Sequence, residues 1–201
     1  MIHTVIVPGA GGSDFDHWQS WLQRQLMSSS RVQQQDWQLP ILEQWVNQCV
    51  KTLQKAPDQV QIIAHSFGCL TSVATLARHP MLAKKVKKML LVAPANPSRF
   101  GERGFARDSV TDYASYFHQL KLNVPTEMII SENDPWLAFA DAQRLAQAWH
   151  VNAHNLGQVG HINVASGFGP FPEIYDYMIT EQHQRFINHS DDGKLFFKFA
   201  I

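Results

Sequence analysis

A serine hydroxyl is a poor nucleophile until a base removes its proton, and the base needs an acid to hold its tautomer. The 201-residue chain offers residues for all three roles, each just after an apolar run. Gln61-Ile62-Ile63-Ala64 leads into His65-Ser66-Phe67-Gly68, which reads as a buried strand turning sharply into a helix. A serine at the tip of such a turn is strained, its Oγ projects above the sheet, and the residues two positions away must be small. Ala64 and Gly68 occupy those positions, so the stretch is a G-x-S-x-G nucleophile elbow with alanine in the first glycine place. Met128-Ile129-Ile130 leads to Asp134, and the run at Val151 leads to His161. The order Ser, Asp, His, each after its own strand, is the order such a site requires. Each residue has a plainer role: Ser66 as a helix cap, Asp134 as the N-cap of a helix starting near Trp136, His161 as one structural histidine among ten. The conjunction of the three is what selects catalysis.

Chemistry at a carbonyl also needs donors for the oxyanion, and losing one costs about 100- to 1000-fold in rate. The backbone N–H of Phe67, next to the nucleophile, is one candidate. The N–H of Ala10, in the loop Pro8-Gly9-Ala10-Gly11-Gly12, is the other. That loop lacks the GxxxxGK[ST] pattern, and Gly9-Ala10-Gly11-Gly12-Ser13-Asp14 meets GxGxxG only in part, which disfavours phosphate or dinucleotide binding. Trp18, Phe100, Trp136, Phe168 and Phe171 fall in or beside loops at the same expected edge and are candidates to line an apolar acyl pocket.

These residues need a scaffold of alternating strands and helices. Strands are expected at residues 4–7, 31–38, 59–64, 86–93, 127–131 and 151–156. Helices are expected over the face Trp18, Trp21, Leu22, Gln25 and Leu26, from Leu42 to Leu53, and over residues 69–78, 137–149 and 172–187, with a further one around 110–120. Such alternation indicates an α/β fold with a mostly parallel sheet of about six strands. Residues 94–124 fit the rhythm poorly and are too few for a full cap domain, so an open site suited to short acyl groups is expected. One domain spans residues 1–187. The tail, 188–201, ends Leu195-Phe196-Phe197-Lys198-Phe199-Ala200-Ile201 and reads equally as an edge strand, a subunit contact or a disordered end.

Charge and composition narrow the partners. Seventeen basic residues balance seventeen acidic ones, so no basic excess favours nucleic acid or an anionic membrane surface. No apolar stretch approaches the roughly 20 residues of a membrane span, and residues 1–7 lack the basic region and cleavage site of a signal peptide. A cytoplasmic location is therefore expected. Cys49 and Cys69 are too few for a disulfide framework or thiolate metal site, and Cys69 reads as a buried helix thiol. The histidines lack metal-binding spacing such as HExxH, so neither metal nor cofactor is expected. Lys84, Lys85, Lys87 and Lys88 read as a solvated turn.

Val7-Pro8-Gly9-Ala10-Gly11-Gly12-Ser13 with His17-Trp18, His65-Ser66-Phe67-Gly68-Cys69, Asn133-Asp134-Pro135, Gly160-His161-Ile162-Asn163 and Ser166-Gly167-Phe168-Gly169 together resemble the retinoblastoma-binding-protein-type serine hydrolases. These are minimal α/β-hydrolases with a three-layer fold and no cap, and the motifs run from Val7 to Pro172. The resemblance implies that Ser66, Asp134 and His161 form a triad acting on small carboxylic esters or amides. The chain departs from the family at Phe171-Pro172-Glu173-Ile174, where Trp-Pro-Glu-Gly is common. No protein partner follows from the family's name, because neither Cys49 nor Cys69 sits in a Leu-x-Cys-x-Glu motif. The expected activity is that of an esterase forming an acyl-enzyme. An amidase with the same triad is the nearest alternative, and a non-catalytic interaction protein on the same fold is the alternative of another class.

Overall fold

The computed structural model describes residues 1–99 and 112–180. Six strands form one sheet: β1 (His3–Val7), β2 (Ser29–Arg31), β3 (Val60–Ser66), β4 (Val86–Pro94), β5 (Thr126–Ile130) and β6 (Asn152–Asn155). They are ordered β2-β1-β3-β4-β5-β6, and every neighbouring pair is parallel. Parallel neighbours need long crossovers, usually helical, and the chain supplies α1 (Trp18–Gln25), α2 (Leu42–Lys55), α3 (Phe67–Arg78), α4 (Pro80–Ala83), α5 (Tyr113–Gln119) and α6 (Phe139–Trp149). This is the α/β-hydrolase-like arrangement, and among the described residues there is no separate cap domain.

The central strands are apolar on both faces because both faces are covered. Ile62, Ala64, Met89, Leu91, Met128 and Ile130 join the larger core with the helix residues Leu42, Trp45, Val73, Phe117 and Trp149. Their alternates Ile63, Leu90, Val92 and Ile129 pack on the other face against Trp18, Leu22, Phe171 and Ile174. The period-two alternation thus divides each strand between two cores.

Three expected elements differ. The second strand covers only Ser29–Arg31 instead of 31–38; downstream, Asp36 Oδ1 accepts the N–H groups of Gln38 and Leu39 and turns the chain. The final helix is a 3-10 helix over Pro172–Tyr177, ended at Met178, instead of a continuous element from 172. Its chain is held instead by Gln61, whose Oε1 accepts the Ile179 N–H and whose Nε2 donates to the Ile179 carbonyl. The helix after the elbow starts at Phe67, immediately beyond the serine. Phe100 and the tail 188–201 lie outside the described residues, as does the remainder of that final segment. No helix of the described residues is long and apolar enough to cross a membrane.

The chain leaves β1 for β2 on one side and returns to β3 on the other. Loops after β1 and β3 therefore diverge, and a crevice opens at the carboxyl ends of those strands, the usual ligand position in open α/β sheets. Ser66 ends β3 at that crevice.

Candidate active site

Ser66 has φ 54° and ψ −123°, a conformation costly for any residue with a Cβ. It occupies the N-cap position of α3, yet its hydroxyl makes no capping hydrogen bond, so the helix-cap role does not apply. The turn is possible only because its neighbours are small. A Cβ on Gly68 would lie 2.2 Å from the Val7 carbonyl oxygen and 2.6 Å from that of Pro8. A Cβ on Gly9 would lie 2.7 Å from the Ser66 Cβ, so the loop after β1 touches the serine. Ala64 is fully buried in register with Val7 on one side and Leu91 on the other.

The hydroxyl is directed to His161, with Oγ and Nε2 2.9 Å apart. His161 Nδ1 lies 2.8 Å from Asp134 Oδ2. A carboxylate only accepts, so Nδ1 donates and Nε2 is left as the acceptor for the Ser66 O–H. The His161 side chain is 8% exposed and that of Asp134 4%, which excludes water from the pair and strengthens it. Asp134 does not cap the following helix. Its Oδ1 accepts the Trp136 N–H at 2.8 Å, while α6 begins at Phe139 with Ala138 as its N-cap. Three residues far apart in sequence thus form one hydrogen-bonded chain, an arrangement able to take a proton from the serine and hold the resulting imidazolium.

The loops are held by side chains that carry no obvious sequence signal. Asn133 Oδ1 accepts the Gly160 N–H at 2.7 Å and the Ser131 hydroxyl at 3.0 Å, latching the acid's loop to the histidine's. Asn163 and Ser166 form a reciprocal capping box just beyond. In the loop after β1, Arg31 donates from Nη1 to the carbonyls of Gly12 and Ser13 and from Nη2 to Ser20 Oγ. Gln19 joins the same loop, accepting the Ser13 hydroxyl and donating to the carbonyls of Val7 and Ile63. Ala10 is exposed in this loop beside Gly9, and Phe67 opens α3.

Beneath the site lie two further histidines. The rings of His17 and His161 each stand 4.9 Å from that of His65. Burial pushes His17 down to about 3, helped by the nearby positive charge of Arg31 and by His161. Burial likewise holds His65 well below the ordinary histidine value, with His161 and His17 adding to the effect. Both rings are neutral at physiological pH, so they add no charge beside His161. His17 Nδ1 accepts the Gln19 N–H and caps α1. A histidine directly before the elbow serine and a His-Trp pair opening α1 were the available signals.

The apolar candidates separate. Trp136 is 38% exposed, with its ring 6.4 Å from that of His161 and the Arg99 guanidinium over it at 4.5 Å. Phe168 is half-buried and packs edge-on against Phe171. Trp18 and Phe171 are core residues, at 0% and 3% exposure, and stack edge to face on each other. Their aromatic area stabilises the core beneath the site, so neither offers an open pocket wall. Among the described residues no group of three or more His, Cys, Asp and Glu could hold a metal ion. Cys69 is buried with Sγ toward the Val92 carbonyl, and burial raises its thiol well above the ordinary value. It is no nucleophile.

YdeN of Bacillus subtilis (strain 168) is 24% identical over 189 residues, spanning 87% of this chain and 93% of that protein. A YdeN-like hydrolase from Pectobacterium atrosepticum SCRI1043 is 33% identical, covers 88% of each chain and superposes with a TM-score of 0.74. The crystal structure of the B. subtilis protein superposes at 0.68 over 88% of this chain and 96% of its own. A family model described as serine hydrolase matches residues 4–180, and the chain belongs to that family.

Proposed function

We propose that the protein is a serine esterase acting on small carboxylic esters through an acyl-enzyme. Ser66 attacks the carbonyl carbon while His161 takes its proton. The tetrahedral oxyanion is held by the backbone N–H groups of Phe67 and Ala10, and His161 then protonates the departing alcohol. Water, activated by the same imidazole, releases the acid and restores Ser66. Asp134 keeps Nδ1 protonated and stabilises the imidazolium throughout. The hydrogen-bonded chain Asp134–His161–Ser66 is the observation that carries the reading. The likeness to the retinoblastoma-binding-protein-type hydrolases supports it. The exposed Trp136 beside His161, without a cap domain among the described residues, favours compact substrates.

The test is labelling by a fluorophosphonate, together with turnover of p-nitrophenyl esters of increasing acyl length. Labelling that disappears in Ser66→Ala, with turnover falling about 10⁴-fold or more and highest for short acyl groups, is the expected result. A folded wild-type protein that neither labels nor turns over ester would sink the reading and bring a non-catalytic binding role forward.

A further inference from the structure

The base of the proposed reaction sits next to a strained residue. Ile162 has φ 49°, in the left-handed region that a β-branched side chain rarely enters, and it is fully buried. Such a residue relaxes by rotating the two peptide planes that flank it. Both planes are fixed by side-chain donors. His65 Nε2 lies 2.9 Å from the His161 carbonyl oxygen, which belongs to the plane before Ile162. Trp18 Nε1 donates to the Ile162 carbonyl at 2.8 Å, in the plane after it. A carbonyl can only accept, so His65 carries its proton on Nε2.

We propose that His65 is a positioning residue for the reaction. Its Nε2–H, acting with the Trp18 indole N–H, locks the strained Ile162 peptides and so fixes the His161 imidazole between Ser66 and Asp134. This inference rests on the proposed hydrolase reading and extends it. His65 is also the residue directly before Ser66 on β3. One strand position therefore ties the nucleophile's strand to the base's loop, across 96 residues of sequence. The ring is 4% exposed and wedged between His17 and His161, with Trp18 edge-on at 5.8 Å. It cannot swing away from the carbonyl without displacing them. Burial keeps it uncharged at physiological pH, so the Nε2–H donor is retained there.

The test compares His65→Gln with His65→Asn. The Gln amide nitrogen reaches the position of a histidine Nε2, whereas the Asn amide, one methylene shorter, stops short of the carbonyl. Both are neutral, polar and smaller than the ring. With His65→Asn, kcat on a short-chain ester is expected to fall about 100-fold, the penalty of a displacement near 1 Å, with KM within about twofold. His65→Gln should recover most of that loss. Trp18→Phe, which removes the second donor and keeps an aromatic ring, should lower kcat without raising KM. Equal kcat for the Gln and Asn variants, or a folded Trp18→Phe with unchanged kcat, overturns the inference. A wild-type protein that does not label with fluorophosphonate instead overturns the hydrolase reading beneath it.

Discussion

Of the five non-glycine residues with positive φ among those described, Ser13, Ser66, Ala93 and Ile162 lie at or just beyond the carboxyl ends of their strands. The fifth, His150, lies at the opposite edge, where it closes α6 in an ordinary left-handed turn. A cleft of about 750 Å³ opens at the amino edge, lined by Lys88, Lys121, Glu127, Trp149 and His150 among others. Lys88 and Glu127 form a surface ion pair there at 2.7 Å, and His154 bonds the same carboxylate. The carboxyl edge holds the hydrogen-bonded chain on Ser66. What separates the two edges is stored strain held in place by buried donors. Strained backbone costs roughly 1–3 kcal/mol per residue and persists only where the surroundings over-determine it. Convergent, immobilised polar groups mark the carboxyl edge.

The comparison breaks most sharply at Asp134. An asparagine there is isosteric but can donate to His161 Nδ1, which moves the ring proton to Nε2 and removes the acceptor for the Ser66 hydroxyl. Turnover should fall about 10⁴-fold, while Glu127→Gln, which perturbs the carboxylate of the amino edge, should leave kcat within about twofold. Steady-state kinetics on one ester checks both. A comparable loss from the amino-edge variant would mean that the strain argument points to the wrong end of the sheet.

The next effect is on stability. Gly68→Ala places a methyl 2.2 Å from a backbone carbonyl that cannot swing aside, so β1 and α3 must separate. A loss of about 3 kcal/mol is expected, the upper range for overpacking. Gly157→Ala has a positive φ of 77° but no heavy atom within 4 Å of the added Cβ, so only the backbone preference is lost, about 1 kcal/mol. Urea unfolding of the two variants separates the steric part from the conformational part.

Much of this edge was legible in the sequence. Strands β3, β4 and β5 announced themselves as continuous apolar runs because both faces are buried, and the small residues around Ser66 are required by the turn itself. Ser66, Asp134 and His161 were picked out by loop position and chain order, and they meet in one hydrogen-bonded chain. The supporting shell was not legible. Arg31 was read as the start of a strand, and only its contacts reveal that it staples Gly12 and Ser13. Trp18 was read as a pocket wall, because hydrophobic spacing cannot tell a core indole that donates to a carbonyl from one that meets substrate. The second strand was placed late because Ser29–Arg31 is short and polar, with His3 bonding both Ser28 and Ser30 across it. Residues 172–187 read as one helix, whereas Pro172–Tyr177 is a 3-10 helix with Ile174 buried in the same core as Phe171.

The buried histidines give the site a pH signature. In the unfolded chain His17 titrates near 6.5, and in the folded one it is lowered to about 3. Between those values the unfolded state binds more protons, so stability rises with pH through this window and is lost as pH falls below 6.5. The slope is about 1.4 kcal/mol per pH unit for each such histidine. His65 shifts in the same direction and adds to it. His17→Asn keeps an acceptor for the Gln19 N–H and removes the titration, so the slope above about pH 5 should fall by roughly that amount. Unfolding midpoints measured from about pH 5 to 6.5 would show it, and an unchanged slope would place the acid sensitivity elsewhere.

The gentlest contrast uses one substitution at both edges. His150 has φ 54° and ψ 43°, and Val151 and His150 donate back to Ala146 and Gln147, so its position asks only for a left-handed backbone. His150→Gly should gain about 1 kcal/mol and leave turnover unchanged. Ile162→Gly relieves the same kind of backbone strain. It also removes a fully buried side chain packed with Trp18 and Phe171, a loss of about 3 kcal/mol or more, so stability should fall on balance. Turnover should fall further than stability predicts, because a glycine lets the flanking peptides choose other orientations and His161 moves with them. If Ile162→Gly kept full activity at a temperature where it is folded, the strain at the carboxyl edge would be incidental to catalysis, and the two edges would differ only in which residues they carry.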